Sequence, residues 1–125
     1  MEKSKSTVIP VVVEIISDIF TEVSSLANKA EIGSDFSYFV SNSKGKYWIC
    51  LIRKKTRSNM ARRFVVNFDP NTPDILHIRY FVSDELSDYS LDMSSSDWRK
   101  TLMVEGLIWA SKLSFEQSDS NSDEI

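Results

Sequence analysis

Arg53, Lys54, Lys55, Arg57, Arg62 and Arg63 put six cations and no anion into the eleven residues 53–63, with Lys44 and Lys46 just upstream. Guanidinium forks fit phosphate oxygens in pairs, ammonium groups meet them as point charges, and a protruding loop can carry both to a nucleic-acid backbone. Tyr47 and Trp48, next to the run, offer faces on which bases could stack. Two plainer readings compete. Cations on an exposed hairpin discourage strand edges from pairing with other chains, and the acidic end of the same chain could neutralise them and mimic a polyanion's charge.

Other groups that could do chemistry lack the company that chemistry needs. His77 lies between Leu76 and Ile78 with no Cys, Asp or Glu at ligand spacing, which suits a structural histidine better than a base or a metal ligand. Cys50 with His77 would make a nucleophile pair only with both side chains on one face, a cleft and an activating neighbour; none of these can be read from the residues. Cys50 reads instead as a small buried hydrophobe, and as the only cysteine it can form no internal disulfide, so a reducing compartment is expected. Asp84, Glu85, Asp88, Asp92 and Asp97 do not match an oxygen-ligand loop, and their segment has no glycine. They read as a solvated acidic surface, and no metal is expected. The strand-like segments contain no acid followed two residues later by lysine, so the metal-dependent nuclease pattern is missing. Gly33, Gly45 and Gly106 are isolated and cannot form a phosphate-cradling loop. No catalytic residue and no cofactor are assigned, and a non-enzyme is expected.

The elements that carry these residues follow from periodicity. The 125 residues, 42% of them hydrophobic, suffice for one core. A single α+β domain is expected over residues 1–115, with 116–125 as a disordered acidic tail, because EQSDSNSDEI offers too little apolar surface to offset the entropy of ordering. Val11–Ala30 reads as a helix with Val12, Ile15, Ile16, Ile19, Val23, Leu26 and Ala30 inward, started by a Ser6 or Thr7 cap and Pro10. Aromatic and β-branched clusters between turn-formers predict four strands, Phe36–Ser41, Lys46–Lys54, Arg62–Phe68 and Ile75–Val82. Short connections make the sheet mainly antiparallel. Asp84–Met93 reads as a loop or a short irregular turn of helix. A second helix over Trp98–Leu113 carries the stripe Trp98, Leu102, Gly106, Trp109 and Leu113, widened by Val104, Leu107 and Ile108. All three tryptophans read more readily as core than as a ligand box. The expected architecture is therefore a four-stranded, mainly antiparallel sheet packed by an N-terminal and a C-terminal helix.

The formal net charge of −3 hides a segregation. Residues 1–43 carry −3, residues 44–83 carry +7 from nine cations and two anions, and residues 84–125 carry −7. Attraction to a polyanion then depends on where the acidic flanks lie. No apolar stretch reaches the roughly 20 residues needed to cross a bilayer, and Met1–Lys5 lacks a signal-peptide core. A soluble, cytoplasmic protein without a membrane partner is expected.

The segment SYFVSNSKGKYWICLIRKK, followed by RRFVVNFD and a closing helix, resembles the small α+β module that often ends restriction-endonuclease-like subunits of the type I class. The likeness covers about residues 36–110. It implies an α+β fold in a DNA-associated setting. The first hairpin is shorter and the basic loop longer than in that pattern, and no residue role is carried over. The functional expectation is a small non-catalytic accessory protein that binds nucleic acid or another polyanion through a basic β-hairpin, using Arg53, Lys54, Lys55, Arg57, Arg62 and Arg63 on the backbone phosphates. The alternative is a protein-interaction module, such as an inhibitor, immunity protein or assembly subunit, using the acidic face or an exposed helix. Oligomeric state is left open.

Overall fold

Pro10 opens the first helix: its carbonyl accepts from the N–H groups of Val13 and Glu14 at 3.0 and 3.3 Å, while its own missing N–H is no loss in a first turn. The computed structural model describes residues 9–30, 35–54, 61–82 and 85–124, without the side chains of 54, 61 and 114–124. Ser6 and Thr7 lie outside the described residues. In chain order the elements are α1 (Val11–Ala30), β1 (Asp35–Ser43), β2 (Lys46–Lys54), β3 (Ala61–Phe68), β4 (Ile75–Val82), β5 (Glu85–Asp92) and α2 (Trp98–Glu124).

The sheet has five strands in the order β1-β2-β3-β4-β5, with every neighbouring pair antiparallel. This corrects the expected four. Glu85–Asp92, expected as a loop, is the fifth strand: only Ser87, Tyr89 and Leu91 turn partly inward while Glu85, Leu86, Asp88, Ser90 and Asp92 face water. As an edge strand with one half-covered face, it needs no apolar run. The β1–β2 hairpin closes through Lys44 and Gly45, with φ of 55° and 80°. Two consecutive left-handed residues suit a two-residue turn that follows the natural twist of the strands, and glycine adopts that conformation without steric cost.

Both helices pack on one face of the sheet. The strand residues that join the helices in the core are Phe36 of β1, Ile49 and Leu51 of β2, Phe64, Val66 and Phe68 of β3, and Leu76 and Ile78 of β4, which the register places on one face of the sheet. Phe64 sits at the centre: Phe20 of α1 meets it edge-on at 5.9 Å, Trp109 of α2 at 5.7 Å, and Tyr80 stacks on it at 5.0 Å. The α2 stripe Trp98, Leu102, Gly106, Trp109 and Leu113 is buried as expected, while Val104 and Ile108 are exposed. On α1 the buried set is Val13, Ile16, Phe20, Val23, Ser24 and Ala27, so the helix is rotated from the expected stripe and Leu26 faces water. Val11–Ile16 is apolar almost all round; the bulk of Phe20 decides which side goes in.

Helix α2 starts after Ser94–Asp97, where the Asp97 carbonyl accepts from Thr101 N–H at 2.9 Å. Its backbone runs as helix to Glu124, into the segment expected as a disordered tail, and side chains beyond Leu113 are outside the described set. Among the described residues no helix is long and apolar enough to cross a membrane.

Candidate functional site

With the helices on one side, strand alternation sends every second side chain to the other side, which no element among the described residues covers. On that open face lie Ser37, Phe39 and Ser41 of β1, Trp48, Cys50 and Ile52 of β2, Arg63, Val65 and Asn67 of β3, and His77, Arg79 and Phe81 of β4. The register aligns them in rows across the sheet. One row runs Ser41, Trp48, Asn67, His77 and Ser90; the next runs Phe39, Cys50, Val65, Arg79 and Asp88.

These rows form an open depression of about 320 Å³ lined by Trp48, Val65, Asn67, His77, Arg79 and Asp88. Trp48, 36% exposed, is its aromatic wall. Asn67 is held in place by donating to the Tyr47 carbonyl at 3.1 Å. His77 Nδ1 lies 3.4 Å from Ser90 Oγ. Arg79 donates to Asp88 at 2.9 Å with both side chains well exposed, so the pair orients the guanidinium and adds little stability. The result is a surface with an indole face, an imidazole, an amide and a guanidinium within reach of one ligand.

The alternation that builds this face also divides the basic run. Arg53 is 2% exposed, on the helix-covered side, with its guanidinium carbon 6.0 Å from the centre of the Phe36 ring. It has no surface to give a phosphate. Arg62, opposite Arg53 in the register, is half-buried on the same side. Arg63 pairs with Ile52 and is exposed on the open face. Lys54 ends β2, but its side chain lies outside the described residues, as do Lys55 and Arg57 altogether.

Cys50 faces the open side but is buried, which pushes its thiol above the ordinary value; Arg63 pulls the other way by less. Cys50 and His77 do share a face, yet β3 lies between their strands, a separation of about 10 Å at sheet spacing that keeps them from forming a nucleophile pair. Asp92 accepts from the Ser94 N–H at 2.9 Å and hydroxyl at 2.7 Å, and these bonds hold its carboxyl below the usual range. That carboxylate serves the β5–α2 turn. Among the described residues no three His, Cys, Asp or Glu side chains gather as a metal site would require.

Trp98 and Trp109 are core as expected, whereas Trp48 is not. Its exposure could have been read from the alternation Trp48-x-Cys50-x-Ile52 against Ile49-x-Leu51-x-Arg53, had the phase of β2 been known. Because both sets are largely apolar, only the neighbouring strands settle it. Comparison with protein-family models, curated proteins and solved structures finds no match to this chain. The resemblance to the type I restriction module therefore rests on its sequence segments alone.

Proposed function

We propose that the protein is a non-catalytic accessory module that holds single-stranded nucleic acid across the open face of its sheet. Trp48 carries this reading: an exposed indole in the middle of a sheet face, beside Asn67, His77 and Arg79 and one strand from Arg63. Aromatic faces stack on any base and are worth about 1–3 kcal/mol per base, while nearby cations follow the backbone. Arg63, exposed on the open face, supplies a phosphate contact in this reading, Lys54, Lys55 and Arg57 are its basic neighbours in the sequence, and Arg53 supports the sheet from beneath. Binding should accordingly fall with salt and show little sequence preference.

A second reading takes the same face as a docking surface for another protein. It is favoured by Phe39, Phe81 and Leu86, all exposed on that side, with Phe81 opposite Leu86 in the register. Retention of the protein on immobilised single-stranded DNA and RNA at low salt separates the two. The nucleic-acid reading expects retention that Trp48→Ala and Arg63→Ala each weaken, Trp48→Ala at every salt concentration and Arg63→Ala with a shallower salt slope. No retention at low salt refutes it and leaves the protein-docking reading.

A further inference from the structure

The outer edge of β1 lacks the usual guards against pairing with another chain. Asp35–Ser43 contains no proline, lysine or arginine, and its one charge is at its first residue. The two-residue turn makes Ser43 and Lys46 a hydrogen-bonded pair, so Ser41, Phe39 and Ser37 also exchange bonds with β2. Phe36, Tyr38, Val40 and Asn42 then direct N–H and C=O away from the sheet. Asn28 of α1 makes this visible at Phe36: its side-chain amide accepts from the Phe36 N–H at 2.8 Å and donates to the Phe36 carbonyl at 3.0 Å. A neighbouring strand would make the same two bonds. Among the described residues, helix α1 therefore closes the edge at Phe36 and nothing pairs with the outer side of residues 37–43, with Phe39 and Val40 exposed on opposite faces.

We propose that this edge pairs antiparallel with the same edge of a second copy, about a two-fold axis at Val40. The open segment 37–43 is centred on Val40 because Asn28 covers the residue before it. In that register Val40 faces Val40, Tyr38 faces Asn42, Phe39 faces Ser41 and Ser37 faces Ser43, so no charge meets a like charge. Residues of equal parity pair, which keeps the helices of both copies on one side and joins the two five-stranded sheets into one. The opposite edge is better guarded: β5 carries Glu85, Asp88 and Asp92, and a two-fold pairing centred on Asp88 would set that carboxylate against its own copy. A β1-to-β1 contact is closed, whereas β1-to-β5 would propagate as a filament.

Sedimentation velocity from micromolar to near-millimolar protein tests this, with amide hydrogen exchange read on the same samples. The expected result is a mass rising toward twice that of the monomer, with exchange at Tyr38, Val40 and Asn42 slowing as concentration rises while Phe36, already bonded to Asn28, stays unchanged. Val40 is exposed and its N–H points outward, so Val40→Lys and Val40→Pro both leave the monomer's ladder intact. Each should keep the protein monomeric throughout the series, and Leu86→Lys on β5 should leave the dimer as it is. A monomer at every concentration, a dimer that survives both Val40 variants, or one dissolved by Leu86→Lys would overturn the proposal.

Discussion

Replacing Asn28 measures how firmly α1 is tied to the edge of the sheet. Its amide makes two hydrogen bonds to Phe36, at 2.8 and 3.0 Å, and a neutral bond of this kind contributes about 1 kcal/mol net. Asn28→Ala loses both, and recovers about 0.5 kcal/mol because alanine is the better helix former. The expected loss is therefore about 1.5 kcal/mol, or roughly 6 °C in Tm for a chain of this size. Urea unfolding followed by far-ultraviolet circular dichroism reads it as a lower midpoint with unchanged slope. Asn28→Asp sharpens the test. An ionised aspartate still accepts from the Phe36 N–H but turns a second lone pair toward the Phe36 carbonyl, so at neutral pH this variant should be at least as unstable as Asn28→Ala. Below about pH 4 its protonated form regains a donor, and its deficit relative to wild type should shrink. Wild-type stability in Asn28→Ala, or a deficit in Asn28→Asp that ignores pH, would show that these two bonds do not tie α1 to the sheet.

Three further outcomes follow from packing and electrostatics. A methyl group at Gly106 would meet Val23 Cγ2 at 3.5 Å and Leu51 Cδ2 at 3.8 Å, ordinary contact distances, so Gly106→Ala should raise unfolding stability by about 0.5–1 kcal/mol through helix propensity; a lower urea midpoint would contradict this. The Tyr89 hydroxyl donates to Glu105 at 2.9 Å, and burial together with the Glu105 bond and charge raises it far above the ordinary 10.0. The unfolded chain therefore ionises first as pH climbs past about 10, so stability should fall there and Tyr89→Phe should flatten that fall; equal slopes in the two proteins would contradict the upward shift. Trp109→Ala should cost about 3–5 kcal/mol because the side chain is fully enclosed, whereas Trp48→Ala should cost under about 1 kcal/mol. Comparable losses in denaturant titration would invalidate the assignment of the two faces.

The elements that could be read from the sequence are those whose patterns had no competitor. The α2 stripe from Trp98 to Leu113 repeats at helical spacing amid polar residues, and β2, β3 and β4 are dense in aromatic and β-branched side chains. Where two patterns were equally apolar, sequence could not choose. Val11–Ile16 leaves the rotation of α1 open until Phe20 meets Phe64, and β2 carries Trp48, Cys50 and Ile52 in one phase and Ile49, Leu51 and Arg53 in the other. A charge count along the chain saw Arg53, Arg62 and Arg63 as one cluster, but a period of two separates them through the thickness of the sheet. β5 was hidden because an edge strand with Ser87 and Tyr89 inward looks like a polar loop.

The most direct test of the functional reading is an amide NMR titration of the protein with a short single-stranded homopolymer at low salt. Shifts should concentrate at Trp48, Arg63, Val65, Asn67, His77 and Arg79, including the Trp48 indole N–H, with the helix residues Phe20, Val23 and Leu102 unmoved and all shifts reversed by added salt. Shifts that fall on α1 and α2, or none at all as the oligonucleotide is added, would contradict that reading.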